Sequence, residues 1–124
     1  TAYFASDGSL NFNNGTNMGF LSSAGNWVSA SDRSYKKAIR DIPNGLETVM
    51  RLKPRRYYMK SDNRSQIGFI AQEMRDIIPE VVSGEEGHLG IAYGNIVAVL
   101  TKAVQEQQRK IEALEVKLAE IAGR

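Results

Sequence analysis

The most regular pattern of apolar residues lies at the C-terminal end of the chain. From Asn95 onward, apolar residues recur with the seven-residue repeat typical of a coiled coil for nearly four heptads. Only Gln107 is polar among the core positions, and a polar layer there helps to fix the register. The pattern predicts a coiled-coil helix over residues 95–124, with a single amphipathic helix packed on its own domain as the alternative. The predicted core residues are Val97, Val104, Ile111 and Leu118 at position a, and Leu100, Gln107, Leu114 and Ile121 at position d.

The number of helices in this coiled coil is left open by the repeat. Val, Ile and Leu are mixed at position a and Ile121 occupies position d, which permits a dimer or a trimer. Lys110 at position g and Glu115 at the following position e have opposite charges and can pair between neighbouring helices. The repeat therefore predicts parallel association without choosing its stoichiometry.

Residues 1–30 have a different pattern, in which short apolar runs at 10–12 and 18–21 alternate with the turn sequences Asp7-Gly8 and Asn14-Gly15. Strands this short and poor in charge cannot build a core alone. We therefore expect them to pair with other copies of the chain, or with a preceding β segment, as an interwound β stalk. A small β meander and a flexible linker are the alternatives. The chain begins inside this pattern and without Met, which suggests a fragment of a longer protein.

At Ser31 the composition changes, and the sequence predicts a mainly helical body with a small hairpin over residues 32–94. Ser31 and Asp32 suit a helix N-cap, and apolar residues follow at helical spacing. The expected fold class is therefore α+β. The first predicted element is a helix with the stripe Tyr35, Ala38, Ile39 and Ile42, which ends at Pro43-Asn44-Gly45. A short helix over 46–52, with Leu46, Val49 and Met50 at helical spacing, and a hairpin of 56–60 with 66–69 follow. The last elements are a helix with Ile70, Met74, Ile77 and Ile78 that stops at Pro79 and an exposed loop over 83–88.

Composition and charge argue against several classes of partner. The chain has 124 residues and a net charge of +2. All sixteen Lys and Arg, with thirteen of the fourteen acidic residues, lie beyond Ser31. This modest basic excess, interspersed with acids, argues against nucleic acid, which needs a clustered basic stripe. The absence of Cys and the single His argue against disulfides and zinc. No apolar run approaches the roughly 20 residues that span a bilayer, so we expect no membrane partner.

Three blocks of the sequence, in this order and spacing, resemble the C-terminal intramolecular chaperone of phage endosialidases, tail fibres and neck appendage proteins, a family of self-cleaving serine peptidases. The similarity covers about residues 31–124, and any one block alone would be unspecific. The blocks are Ser31-Asp32-Arg33-Ser34-Tyr35-Lys36, then Leu52-Lys53-Pro54 through Tyr57-Tyr58 to Ile67-Gly68-Phe69-Ile70-Ala71-Gln72-Glu73, and Ile91-Ala92-Tyr93 before the heptads.

The resemblance implies a homotrimer whose C-terminal part folds and registers a triple-stranded β stalk, ending in residues 1–31, and is then released by autoproteolysis. It implies assembly in the host cytoplasm, with the stalk retained in the virion tail and the chaperone released. Such a device has a physical rationale, because a trimeric coiled coil at one end holds the three chains at high effective concentration while strands that could slip in register pair. Some members respond to ATP, but this chain has no phosphate-cradling Gly-rich loop, so we expect no cofactor.

By the same resemblance, Ser31 matches the nucleophile and Lys36 the lysine of a Ser-Lys dyad, with cleavage between Ser31 and Asp32. A neutral lysine can take the proton of a serine hydroxyl when burial or nearby cations lower the pKa of its amine. Cations close in sequence could contribute. On a regular helix, however, five residues rotate by about 140°, which separates the two side chains. The dyad therefore needs a non-helical start, a long lysine reach or a lysine from another subunit. The nearby cations are Arg33, Lys37 and Arg40.

The nucleophilic attack also has two possible routes. Attack of Ser31 on its own carbonyl carbon would close a strained four-membered ring. A neighbouring subunit's Ser31 or assistance by the Asp32 carboxylate would avoid this strain. Plain helix capping is the structural alternative for both residues.

Other candidate residues have mostly structural interpretations. His88 lies in a Gly and Glu loop, where a solvated role is the simpler expectation, and Glu73 could orient a cation or form a structural ion pair. The basic run 51–56 is expected to be a solvated face. Two further functions stay open, a non-cleaving trimerisation tip and a receptor-binding fibre tip. The second would use exposed aromatic residues such as Trp27, Tyr57 and Tyr58.

Overall fold

The computed structural model describes residues 1–15 and 17–124, which form two compact units, Thr1–Arg40 and Asp41–Arg124. The first unit contains the predicted β segment. It also contains residues 32–40 of the predicted body, and the second unit contains the rest of that body and the predicted coiled-coil helix. Among the described residues, no helix combines the length and apolar character needed to cross a membrane.

The first unit is a four-stranded antiparallel meander in which each strand pairs with the next along the chain. Gly8 has a φ of +85° in the turn before the second strand, which confirms the turn predicted at Asp7-Gly8. The predicted apolar runs at 10–12 and 18–21 lie in strands, as expected. The strands are β1 Ala2–Phe4, β2 Leu10–Asn13, β3 Asn17–Leu21 and β4 Trp27–Ser29.

This sheet buries few of its apolar side chains. Phe12 contacts Trp27 with ring centroids 5.5 Å apart, and the Trp27 indole N–H donates a hydrogen bond to Ser29 Oγ at 2.9 Å. Trp27 is nevertheless exposed, as are five other large apolar residues of the sheet. The meander that the sequence left as an alternative is therefore present within one chain, and pairing with other copies stays a prediction. The other exposed residues are Tyr3, Phe4, Met18, Leu21 and Val28.

The prediction of a helix directly after the β segment was wrong, because this part of the chain forms only one 3-10 turn, at Arg33–Tyr35. Asp32 Oδ1 accepts hydrogen bonds from the N–H and the hydroxyl of Ser34, and such local bonds compete with helix formation. Ala38 has a φ of +51°, which is incompatible with a right-handed helix. Tyr35 and Ile39 of the predicted stripe are exposed, whereas Ile42 packs against the core, so little burial compensates for the cost of forming a short helix.

The second unit contains the predicted order of helix, hairpin and helix, but it is not mainly helical before Tyr93, which corrects the sequence prediction. Residues 83–88 are exposed, as predicted, and most of them form the loop of a second small hairpin. Gly84, at φ +101°, lets that hairpin turn back, and a Cβ there would lie 2.6 Å from His88 O. The elements are α1 Gly45–Arg51, β5 Arg55–Tyr58, β6 Ser65–Gly68, α2 Ala71–Arg75, a 3-10 turn Pro79–Val81, β7 Val82–Ser83, β8 Gly90–Ile91 and α3 Tyr93–Ala122.

The core of the second unit lies between α2, the 3-10 turn and the first half of α3. Met74 of α2 and Ile78 are buried in it, as the predicted apolar face requires, but Ile70 is exposed and α2 ends at Arg75, so the predicted continuation of this helix to Pro79 was wrong. The helix predicted over 46–52 is present as α1, in which Val49 packs against this core whereas Met50 is 75% exposed. The buried members are Met74, Ile78, Val81, Ile96 and Val99.

Helix α3 has two apolar faces. Ile96, Val99 and Ala103 are buried against the body. The predicted coiled-coil seam, represented by Val97 and Leu100, is exposed about 100° further round the helix. Every residue after position 106 is exposed. The face that packs against the body and the predicted coiled-coil seam are therefore different faces of the same helix.

A long-range contact caps helix α1. Asn44, the residue before the helix, has a left-handed conformation and makes no side-chain capping bond. Instead Glu106 of α3 accepts hydrogen bonds from the backbone N–H of Gly45 at 2.9 Å and of Leu46 at 3.4 Å. These bonds, that from Gly45 above all, hold the pKa of the Glu106 carboxyl below its usual value. The carboxylate also suits the positive end of the helix dipole, so it joins α1 to α3.

Replacement of Gly68 by Ala is expected to lower the free energy of unfolding by roughly 1–3 kcal/mol, the usual cost of overpacking. An added Cβ would lie 2.6 Å from the Tyr93 hydroxyl and 3.0 Å from the Tyr57 hydroxyl. Gly94→Ala is the matched control, because a Cβ there meets no atom within 4 Å, and we expect it to raise the stability by at most about 1 kcal/mol. Urea unfolding at one protein concentration would compare them, and equal stabilities would contradict the crowding at Gly68.

Candidate functional site

The candidate site lies directly after the β meander, at residues 31–36. Ala30 is held to the sheet through its N–H, which donates to Met18 O at 3.1 Å. Asp32 has an extended backbone and begins the 3-10 turn, and Lys36, also extended, ends it. The chain therefore leaves the sheet, makes one tight turn and extends again, so that the two ends of the turn lie close together.

The structure brings together the two residues expected to form the dyad. Lys36 Nζ donates a hydrogen bond to Ser31 Oγ at 2.6 Å, within one chain. Both residues are exposed. The geometric objection raised by a regular helix does not apply, because the turn replaces the helix. A lysine from another subunit is not needed for this contact.

Asp32, on the other side of the bond expected to be cut, is held by Ser34. Asp32 Oδ1 accepts hydrogen bonds from the Ser34 hydroxyl at 2.6 Å and from the Ser34 N–H at 2.8 Å. The pKa of the Asp32 carboxyl lies below its usual value. The hydrogen bond from the Ser34 hydroxyl is the main cause, and the bond from the Ser34 N–H and the charge of Lys36 act in the same direction. Asp32 is therefore ionised at neutral pH and acts as the cap of the turn, as its sequence position suggested.

The contact between Ser31 and Lys36 has the length that proton transfer requires. A neutral lysine amine at 2.6 Å can accept the hydroxyl proton and leave an alkoxide-like nucleophile. The sequence reasoning did not single out Ser34, although an Asp followed two residues later by Ser is a recognisable turn signal. Ser34 is the residue that ties Asp32 into the turn.

The remaining candidates have structural roles in the second unit. Glu73 forms a two-pronged ion pair with Arg55, at 2.9 and 2.6 Å, and lies 3.9 Å from Lys53. This pair joins β5 to α2, and the hydrogen bonds from Arg55 lower the pKa of Glu73. His88 is exposed in the turn of the second hairpin, and its backbone N–H donates a hydrogen bond to Glu85 O. Within residues 1–15 and 17–124, no group of three or more His, Cys, Asp or Glu could hold a metal ion.

The aromatic residues considered for receptor binding differ in their surroundings. Tyr58 is exposed in the second unit and Trp27 in the first. Tyr57 is only half-buried, and its hydroxyl lies beside Gly68. Of these three residues, Trp27 and Tyr58 are therefore the ones with exposed rings.

Two of the sequence blocks meet in the second unit. The Tyr93 hydroxyl accepts a hydrogen bond from the Phe69 N–H at 3.0 Å and donates to Phe69 O at 3.4 Å. The two rings also pack, with centroids 6.1 Å apart. Gly68 leaves the space that this contact needs. The start of α3 is therefore fastened to the end of the first hairpin.

A comparison with protein families bears on this site. Residues 31–83 match the family Peptidase_S74, described as chaperone of endosialidase. The match begins at Ser31, includes the first two sequence blocks and confirms the resemblance found in the sequence. It supports a chaperone-like role, and the family name indicates a serine peptidase. No curated protein matches the chain at a significant level.

Proposed function

Since residues 31–83 carry the signature of the endosialidase chaperone domain, we propose that this chain is a C-terminal intramolecular chaperone that assembles as a homotrimer and cuts itself from an upstream β stalk at the Ser31–Asp32 bond. One observation above all supports the cleavage. Lys36 Nζ lies 2.6 Å from Ser31 Oγ, at the residue where the family match begins.

In the proposed reaction, the neutral amine of Lys36 takes the proton of Ser31 Oγ. The oxygen attacks the carbonyl carbon of Ser31 in a neighbouring subunit, because its own carbonyl would require a four-membered ring. The bond from that carbon to the nitrogen of Asp32 then breaks, and the nitrogen takes the proton from the Lys36 ammonium. Water hydrolyses the resulting ester, which restores the Ser31 hydroxyl and leaves a carboxylate at the end of the stalk.

The surroundings of Asp32 favour the serine route over assistance by the Asp32 carboxylate. The two hydrogen bonds from Ser34 to Oδ1 lower the pKa of the Asp32 carboxyl, and a less basic carboxylate is a weaker nucleophile. Ser31 Oγ, by contrast, is bonded to the group that can take its proton.

Trimer assembly would explain how cleavage is delayed until the stalk has folded. In the single chain Ser31 and Lys36 are exposed, and the ammonium form of a lysine is favoured in water. A neighbouring subunit would supply the carbonyl to be attacked and would exclude water, which favours the neutral amine. Arg33, Lys37 and Arg40 add positive charge close to it in sequence, which acts in the same direction.

The exposed seam of α3 supports the proposed oligomer. Seven apolar side chains repeat along a helix of 30 residues without being covered by the body. An uncovered apolar stripe of this length indicates a partner surface, and its heptad spacing fits another copy of the same helix. We place this assembly in the host cytoplasm, with the stalk retained in the virion tail. The exposed apolar residues are Val97, Leu100, Val104, Ile111, Leu114, Leu118 and Ile121.

The cleavage is tested by an intact-mass time course on protein that carries several upstream stalk residues. We expect the parent to separate into two masses at Ser31–Asp32, and Ser31→Ala and Lys36→Ala to stay whole while remaining oligomeric. Lys60→Ala, which removes an exposed lysine of the second unit, is the control and should be cut like the parent. If the parent stays intact as a folded oligomer, the proposed cleavage is wrong and the chain is better described as a non-cleaving trimerisation tip.

A further inference from the structure

We propose that Ser34 is a positioning residue of the cleavage site, an inference that rests on the proposed self-cleavage. By holding the Asp32 carboxylate, Ser34 leaves the Lys36 amine free to act on Ser31. The three contacts that carry this inference are the two hydrogen bonds from Ser34 to Asp32 and the one from Lys36 to Ser31.

Asp32 and Ser31 are competing partners for the lysine. Ser31 lies five residues and Asp32 four residues before Lys36. The positive charge of Lys36 also helps to lower the pKa of the Asp32 carboxyl. A carboxylate attracts an ammonium more strongly than a hydroxyl does. The ion pairs formed by the described residues nevertheless do not include one between Asp32 and Lys36. The lysine bonds the serine instead.

Ser34 accounts for this choice. Its hydroxyl lies 2.6 Å from Asp32 Oδ1, a length typical of a strong bond from a hydroxyl to a carboxylate, and its N–H adds a second bond at 2.8 Å. The turn is closed by two backbone bonds, from Tyr35 N–H to Asp32 O and from Lys36 N–H to Arg33 O, each 3.1 Å long. Oδ1 of the carboxylate is therefore engaged inside the turn and directed to Ser34.

Loss of the Ser34 hydroxyl would remove one of the two hydrogen bonds that hold the Asp32 carboxylate. The carboxylate could then pair with Lys36, and an ion pair stabilises the protonated lysine, which cannot act as a base. Cleavage would become slower at neutral pH and would need a higher pH to recover. The other charged side chains of the first unit would be unchanged. They are Arg33, Lys37 and Arg40 beside the site in sequence, and Asp7, which bonds Ser9.

The experiment measures cleavage rate against pH for the parent and for three variants. Ser34→Thr keeps the hydroxyl, and Ser34→Val has the same shape as Thr without it. Ser34→Ala is a second hydroxyl-free variant. We expect the pH of half-maximal rate to rise by about one unit in the Val and Ala variants, with a rate about tenfold lower at pH 7. The Thr variant should stay within a few-fold of the parent.

Native mass spectrometry would confirm that each variant is compared as the same oligomer. If Val and Ala keep the half-maximal pH of the parent, Ser34 has a structural role only and the inference is wrong, whatever their rates. If Thr shifts as far as Val, the hydroxyl is not the cause and the inference is equally wrong. A parent that is never cut would instead refute the proposed self-cleavage itself, so the two failures are distinguishable.

Discussion

Leu114→Asp is expected to dissociate the proposed oligomer and, with it, to stop the proposed cleavage at Ser31–Asp32. Leu114 occupies a d position of the exposed seam of α3, and one carboxylate per helix would meet in a single buried layer. Burying unpaired like charges is costly, so we expect association to weaken on the order of 100-fold or more, about 3 kcal/mol. Sedimentation equilibrium would measure the association, and the intact-mass assay would follow cleavage in the same samples.

The chain offers a closely matched control for this substitution. Val116 and Leu114 are each 59% exposed in the single chain, but Val116 lies about 200° further round the helix, outside the seam. Val116→Asp should therefore leave both the oligomer and cleavage intact. Dissociation by both variants, or by neither, would contradict the assignment of the seam. A monomeric Leu114→Asp that is still cut would show that cleavage does not depend on assembly.

Met74→Ala is expected to lower the free energy of unfolding by roughly 2–5 kcal/mol, the usual cost of a large-to-small substitution in a core. Met74 is 1% exposed and belongs to the buried cluster with Ile78, Val81, Ile96 and Val99. Removal of its side chain beyond Cβ leaves a cavity between α2 and α3. Urea unfolding, followed by circular dichroism at one fixed protein concentration, would measure the loss, because oligomerisation makes stability depend on concentration.

Met50→Ala provides the comparison, since Met50 of α1 is 75% exposed and substitutions at such positions usually change stability by less than about 0.5 kcal/mol. Both substitutions remove the same atoms and differ only in what surrounds them. A similar loss for the two variants would mean that the core is not centred on Met74.

The features that could be predicted from the sequence are those encoded by local spacing. The heptad pattern predicted a helix from Asn95, and α3 runs over Tyr93–Ala122. The first hairpin was predicted within one or two residues of β5 and β6, because its β-favouring runs flank a polar loop. Ser31, Asp32 and Lys36 came from a resemblance rather than from periodicity, and the family match supports that resemblance.

Other features depended on contacts between residues distant in sequence, or on burial that spacing alone does not reveal. Ile39 has the spacing of a helical stripe but no surface to pack against, so local bonds between Asp32 and Ser34 prevail over the helix. Glu106 caps a helix that lies about 60 residues earlier in the chain. The sequence alone thus determined where helices and turns are locally favoured. Only the tertiary structure decided which were kept, which face of α3 is covered, and how a tight turn brings Lys36 to Ser31, because these outcomes depend on burial and on three-dimensional proximity.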